Sequence, residues 1–209
     1  MGKIKKGILG GFNGRVGNVI GGSWKGIAYM RSEAQSIKNP RTQSQQSNRT
    51  LFGAVSDVVA KARQAINLGF AGDTTKKSAF NAGVQENMMN LTQGGTGFHI
   101  DGLVFSKGGL TPLSSGSMTV SDTTVTTSFE ILEASTAVTN VCVVLCFEGD
   151  FIASPYIVVS RATIPAGQTS GTSTYTIPDS LDYDTVASYG FVYDESHRDA
   201  SETLKLGYE

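Results

Sequence analysis

No apolar run in this 209-residue chain is long enough to span a bilayer, which excludes a helical membrane anchor. Cysteine and histidine each occur only twice. Cys142 and Cys146 lie four apart in an expected strand, about 13 Å at the usual rise per residue, so they cannot bridge each other. They read as small core residues in a reducing compartment, because no further ligands are grouped with them for a metal. His99, close to Asp101, and His197, in the loop Asp194 to Ser201, have no nucleophile-elbow sequence beside them and read as surface loop residues. Gly14-Arg-Val-Gly17 and Gly21-Gly-Ser-Trp-Lys25-Gly26 match neither phosphate-binding glycine pattern. Asp179, Asp182 and Asp184 lack the spacing and glycine of a calcium loop and read as a solvated turn. The expectation is therefore a protein with no reaction, no metal and no cofactor.

Acid is missing from the first 31 residues, which hold nine glycines and six basic residues. Set among the glycines are single large side chains, including Ile8, Leu9, Phe12, Val16, Val19, Ile20, Trp24, Ile27, Tyr29 and Met30. Such a leader has little core of its own, and glycine makes its ordering entropically costly, so another surface must hold it. Residues 1–56 carry nine Lys/Arg against Glu33 alone (+8); the remainder carries eight basic and seventeen acidic residues (−9). This polarity points to head-to-tail contact between copies or to a basic arm meeting an acidic partner. Gly7 to Phe12 is too short for a signal-peptide core, and Lys6 stands where a myristoylation motif wants Ser or Thr, so synthesis and release in the cytoplasm are expected.

Along the chain, Val16 to Arg31 alternates as a hairpin with its turn near Gly21-Gly22 or Lys25-Gly26. Apolar groups on both faces suit a ribbon clamped between surfaces; an arm folded back on its own body is the alternative. Asn39-Pro40 and Thr42-Gln43-Ser44-Gln45 are helix-start signals. Leu51, Phe52, Val55, Val58, Val59, Ala62, Ile66 and Leu68 then predict one long amphipathic helix over about 42–68, stopped by Gly69. A second helix is expected over about 75–92, capped by Thr74 or Thr75 and ended by Gly94-Gly95. From His99 the texture is short β-branched runs, read as strands near 100–106, 117–120, 125–132, 137–147, 156–163, 173–177, 185–193 and 203–207. The fold class is thus α+β: a glycine-rich arm or hairpin (1–38), a helical segment (39–97) and an immunoglobulin- or fibronectin-like β-sandwich (98–209). Leu181 and Tyr189 echo the corner and penultimate strand of such sandwiches.

The opening Met-Gly-Lys-Ile-Lys-Lys-Gly-Ile-Leu-Gly-Gly-Phe, Gly14-Arg-Val-Gly17, Ser23-Trp-Lys-Gly-Ile27, Tyr29-Met-Arg31, Asn39-Pro-Arg-Thr42 and Ala79-Phe-Asn81 together resemble an uncharacterised domain-of-unknown-function family of Bacteroidota and their phages. That family transfers no activity; the resemblance implies a virion component. The expected function is a non-enzymatic structural or interaction protein of a phage or prophage virion (capsid decoration, fibre or tail-associated). It would dock through its arm on further copies or on other virion proteins, with Phe12, Arg15, Trp24, Lys25, Ile27, Tyr29 and Arg31 as its contacts. Two alternatives stay open: a cytoplasmic nucleic-acid-binding protein that uses the basic arm, and a carbohydrate-binding or adhesion module that uses the sandwich loops.

Overall fold

The computed structural model describes residues 3–4, 12–36, 40–73, 77–93, 100–149, 155–196 and 198–209. The expectations that rest on Ile8, Leu9, Asn39, Thr74, Thr75, Gly94, Gly95, His99 and His197 lie outside these residues. The chain forms two units, residues 1–43 and 44–209.

The first unit is an antiparallel sheet of β1 (Lys3–Ile4), β2 (Phe12–Val16), β3 (Val19–Trp24) and β4 (Ile27–Ser32), in that spatial order. The expected hairpin is β3–β4, and its turn is Lys25-Gly26. Both residues have positive φ (48° and 82°), as a two-residue connection matched to strand twist requires. Gly21 and Gly22 instead sit inside β3, where rings lie against them. A Cβ at Gly22 would come within 2.8 Å of the Tyr29 hydroxyl, and one at Gly21 within 2.8 Å of the Phe12 ring. Here glycine gives an aromatic neighbour room to lie flat on the sheet.

The second unit opens within α1 (Gln43–Lys61), which starts directly after Thr42 as the capping signal predicts; α2 (Arg63–Gly69) and α3 (Ala79–Gln93) follow. The single long helix expected over 42–68 is therefore two. Ala62, with φ −80° and ψ 16°, leaves the helical basin, while hydrogen bonds from its own N–H to Val58 O and from Ile66 N–H to Ala62 O keep the chain continuous across the break. Gly69 has no positive φ and is not a left-handed stop. A Cβ there would collide with Phe105 O and Ser106, so its role is close packing. The cap of α3 is Ser78, whose hydroxyl accepts the Asn81 N–H at 3.2 Å.

Two antiparallel sheets follow. One has the order β11 (Leu204–Tyr208), β10 (Thr185–Tyr193), β7 (Thr139–Glu148), β8 (Tyr156–Ile164); the other has β5 (Ser115–Ser121), β6 (Thr124–Glu130), β9 (Ser170–Thr176). Seven of the eight expected strand regions are here. β7 is buried on both faces. Cys142, Val144 and Cys146 join Val55 to Ile66 of the helices in one core, while Val141, Val143, Leu145 and Phe147 join Val125 and Phe129 of the facing sheet, with Ile164 of neighbouring β8, in another. Double burial explains why β7 reads as an unbroken apolar run. It also explains why the helical and β segments, divided at 97/98 on sequence, regroup as one unit.

The eighth region, 100–106, belongs to no sheet: Ile100 to Gly102 bend through a turn, with Gly102 at φ 94°, and side chains satisfy the backbone of the stretch. Tyr189 Oη donates to Ile100 O and accepts from Gly102 N–H (3.0 Å) and Leu103 N–H (3.3 Å). Asn87 grips Val104 on both polar groups, its Oδ1 accepting at 2.8 Å and its Nδ2 donating at 2.7 Å. Thr203 Oγ1 accepts from Phe105 N–H (3.0 Å) and Ser106 N–H (2.8 Å). The apolar pattern at 100–106 correctly implies burial, but the hydrogen-bond requirement of a buried segment is met without a ladder. Tyr189 accordingly faces the helical side and is not the corner residue of a sandwich.

Candidate functional site

Register sorts the seven arm residues. Directly opposed residues share a face, and neighbours along a strand alternate. Ile20 of β3 lies between Arg15 of β2 and Arg31 of β4; Gly22 pairs with Tyr29, and Trp24 with Ile27. Arg15, Trp24, Ile27, Tyr29 and Arg31 therefore occupy one face. Ile20 belongs with them, a residue noted for size but not chosen as a contact. Phe12 is on the opposite face with Val16, Val19 and Met30, and Lys25 is in the turn. The five-residue grouping was available from strand alternation once the turn positions are known, because 15, 20, 31 and 24, 27 pair only if both turns hold two residues.

The faces are exposed. Trp24 is 55% accessible, Ile27 68% and Tyr29 50% on the first; Val16 is 51% and Met30 71% on the second. β4 is also the sheet's outer strand, and every residue in it is exposed. Of the cations expected to meet an acidic partner, Arg15 already has one in its own unit: its Nη2 lies 2.7 Å from Glu33 Oε2, and its Nε donates to Gly17 O at 3.2 Å. This surface can therefore offer large apolar groups and a guanidinium already half neutralised; among the described residues it holds no group arranged for bond chemistry.

Elsewhere the chemistry-bearing residues are dispersed. No cluster of three or more His, Cys, Asp or Glu capable of holding a metal occurs among the described residues. Cys142 and Cys146 are free thiols buried on the helical face of β7; burial pushes the Cys142 thiol up to about 12, and the Cys146 thiol further, so neither is a nucleophile at neutral pH. Asp101 pairs with Lys205. Among the described residues no helix is long and apolar enough to cross a membrane.

Among solved structures, a superoxide reductase (neelaredoxin) from Ignicoccus hospitalis matches 46% of this chain and 80% of its own, at 11% identity and a TM-score of 0.29, a likeness too slight to bear on fold or activity. No curated protein matches the chain in sequence. A family profile does, from Gly11 through Leu206, across the arm, the helices and both sheets: the chain belongs to DUF6266, a family of unknown function.

Proposed function

We propose that this protein is a non-enzymatic assembly component that docks through the face of its N-terminal sheet. The observation that carries the reading is the exposure of Trp24, Ile27 and Tyr29 on one side of a small sheet, next to Arg15 and Arg31. A few large apolar groups ringed by arginine make the kind of patch from which interface hot spots are built. Apolar groups on the second face, Val16, Val19 and Met30, favour a ribbon covered from both sides. The docking partner is a further copy of the chain or another protein of the same particle. The setting proposed is a phage or prophage virion of Bacteroidota, on the strength of the arm and Asn-Pro-Arg-Thr motifs.

In this reading the two sheets of the second unit are an immunoglobulin-like sandwich. Strands β5, β6 and β9 stand against β11, β10, β7 and β8 over a shared apolar core, an arrangement suited to a rigid outward-facing body. The test is the mass in solution of the full chain, of a variant lacking residues 1–31, and of Trp24→Asp/Ile27→Asp. The reading expects assembly by the first alone; assembly by all three would refute it.

A second reading has its own observation. Arg15, Arg31, Trp24 and Tyr29 share a face, and aromatic rings beside guanidinium groups can stack bases and neutralise phosphates. Single-stranded oligonucleotide binding that falls steeply with salt, and falls again on Arg31→Gln, would favour it over protein docking.

A further inference from the structure

β4 ends the arm sheet: among the described strands it pairs only with β3, and every one of its residues is exposed. The turn fixes which way its backbone faces. Across a two-residue connection Trp24 and Ile27 form a hydrogen-bonded pair, and alternation extends that parity to Gly22–Tyr29 and Ile20–Arg31. Glu33 N–H, donating to Asn18 O at 2.8 Å, continues it past the strand. Ile27, Tyr29 and Arg31 therefore turn their N–H and C=O groups toward β3, while Ala28, Met30 and Ser32 turn theirs outward. The usual protections of an edge are missing here. β4 has no proline, its register with β3 does not shift, and its one charge, Arg31, lies on the sheet's face. The Tyr29 ring lies over Gly22 of β3, away from the free edge. The opposite edge, β1, is by contrast two residues long and begins with Lys3.

The outward row is self-complementary. In an antiparallel seam between two copies, outward residues oppose outward residues, so the registers that pair more than one of them centre on Tyr29, Met30 or Arg31. Centring on Arg31 sets two guanidinium groups opposite each other, which is destabilising. Centring on Tyr29 pairs Ala28 with the partner's Met30 but leaves Ser32 opposite the turn. Centring on Met30 pairs the whole row: Ala28 with the partner's Ser32, and Met30 with the partner's Met30. It also sets Tyr29 opposite the partner's Arg31 on a shared face, where a guanidinium can lie over the ring. Like charges stay apart, since Arg15 is held by Glu33 at 2.7 Å and Lys3 sits at the far edge.

We propose that two copies of the chain join through β4, antiparallel about a two-fold axis at Met30, making one continuous sheet from two four-stranded ones. This rests on the reading of the arm as an assembly element and names its partner as a second copy; the apolar face stays free for further docking. A seam of one strand buries less than the ~1,200 Å² of a stable interface, so the dimer is reversible.

The test is cysteine cross-linking of the full-length protein under mild oxidation; Cys142 and Cys146 are buried and give little background. Met30→Cys is expected to form a disulfide dimer about tenfold faster than Thr174→Cys, an exposed site in the second unit. Residues opposed across a hydrogen-bonded pair lie about 5.5 Å apart at Cα, within disulfide range. Tyr29→Cys and Arg31→Cys should cross-link slowly alone and about fivefold faster when mixed. Ala28→Pro removes one outward N–H without touching the ladder to β3, and is expected to cut the Met30→Cys rate about tenfold. Circular dichroism and thermal unfolding check the fold of each variant. Trp24→Asp, on β3, should leave the rate unchanged, so failure of the face as a docking surface and failure of the seam read separately. Met30→Cys no faster than Thr174→Cys would overturn the proposal. So would self-cross-linking of Tyr29→Cys or Arg31→Cys at the mixed rate, indifference to Ala28→Pro, or loss of the cross-link with Trp24→Asp.

Discussion

Asn87→Leu tests the claim that side chains hold the segment 100–106 in place of a strand partner. Asn87 is 1% accessible and makes three hydrogen bonds: Nδ2 to Gly83 O (2.9 Å), Nδ2 to Val104 O (2.7 Å) and Oδ1 from Val104 N–H (2.8 Å). Leucine fits the site in size and can make none of them. Gly83 O keeps its place in α3, but both backbone groups of Val104 lose this partner. A buried polar group left unsatisfied costs about 1–3 kcal/mol, so two such groups set the expected loss at roughly 4 kcal/mol. In a unit of this size that corresponds to a fall in Tm of about 8–16 °C. Urea unfolding of the full chain measures it, with an unchanged m-value confirming that the folded state is otherwise intact. Asn87→Asp sharpens the test. Its carboxylate can accept from Val104 N–H but cannot donate to Val104 O, and burial would raise its pKa. Stability lost at neutral pH should therefore partly return as the pH falls and the carboxyl regains a proton. A loss below about 1 kcal/mol for Asn87→Leu would refute the reasoning, since a segment held by packing alone would not register the missing bonds.

Three further outcomes are expected. Gly69→Ala should cost about 2–3 kcal/mol in urea unfolding, because the new methyl group meets the backbone of Phe105 and Ser106, not a side chain that can swing away. Trp24→Ser should weaken assembly about 100-fold by analytical ultracentrifugation and leave the monomer's Tm unchanged: a large aromatic buries up to ~250 Å², 55% of this one is exposed, and ~25 cal/mol per Å² makes that share worth roughly 3 kcal/mol. Stability should be flat across neutral pH and decline above about pH 9. The Cys142 thiol, raised by burial from 9.0 to about 12, stays protonated in the fold while the unfolded chain ionises, so its contribution is complete below the unfolded value and is lost as pH rises toward the folded one. Unfolding midpoints at pH 7, 9 and 10.5 check this.

The arm's reliance on glycine, its basic charge and its alternating apolar residues were legible in the chain alone, and so were the start of α1 just after Thr42 and seven strands. Each is a local property: a turn needs positive φ at Lys25-Gly26, a helix needs a cap, and a strand needs a period of two. What tertiary structure alone decided are the matters that depend on partners remote in sequence. Ala62 carries no breaker signal, yet the helix ends there; Ile100 to Ser106 has the composition of a strand, yet Asn87, Tyr189 and Thr203 take the place of a neighbouring strand. Which arm residues share a face depended on the lengths of two turns, which set Arg15 and Arg31 on either side of Ile20 and sent Phe12 to the other face.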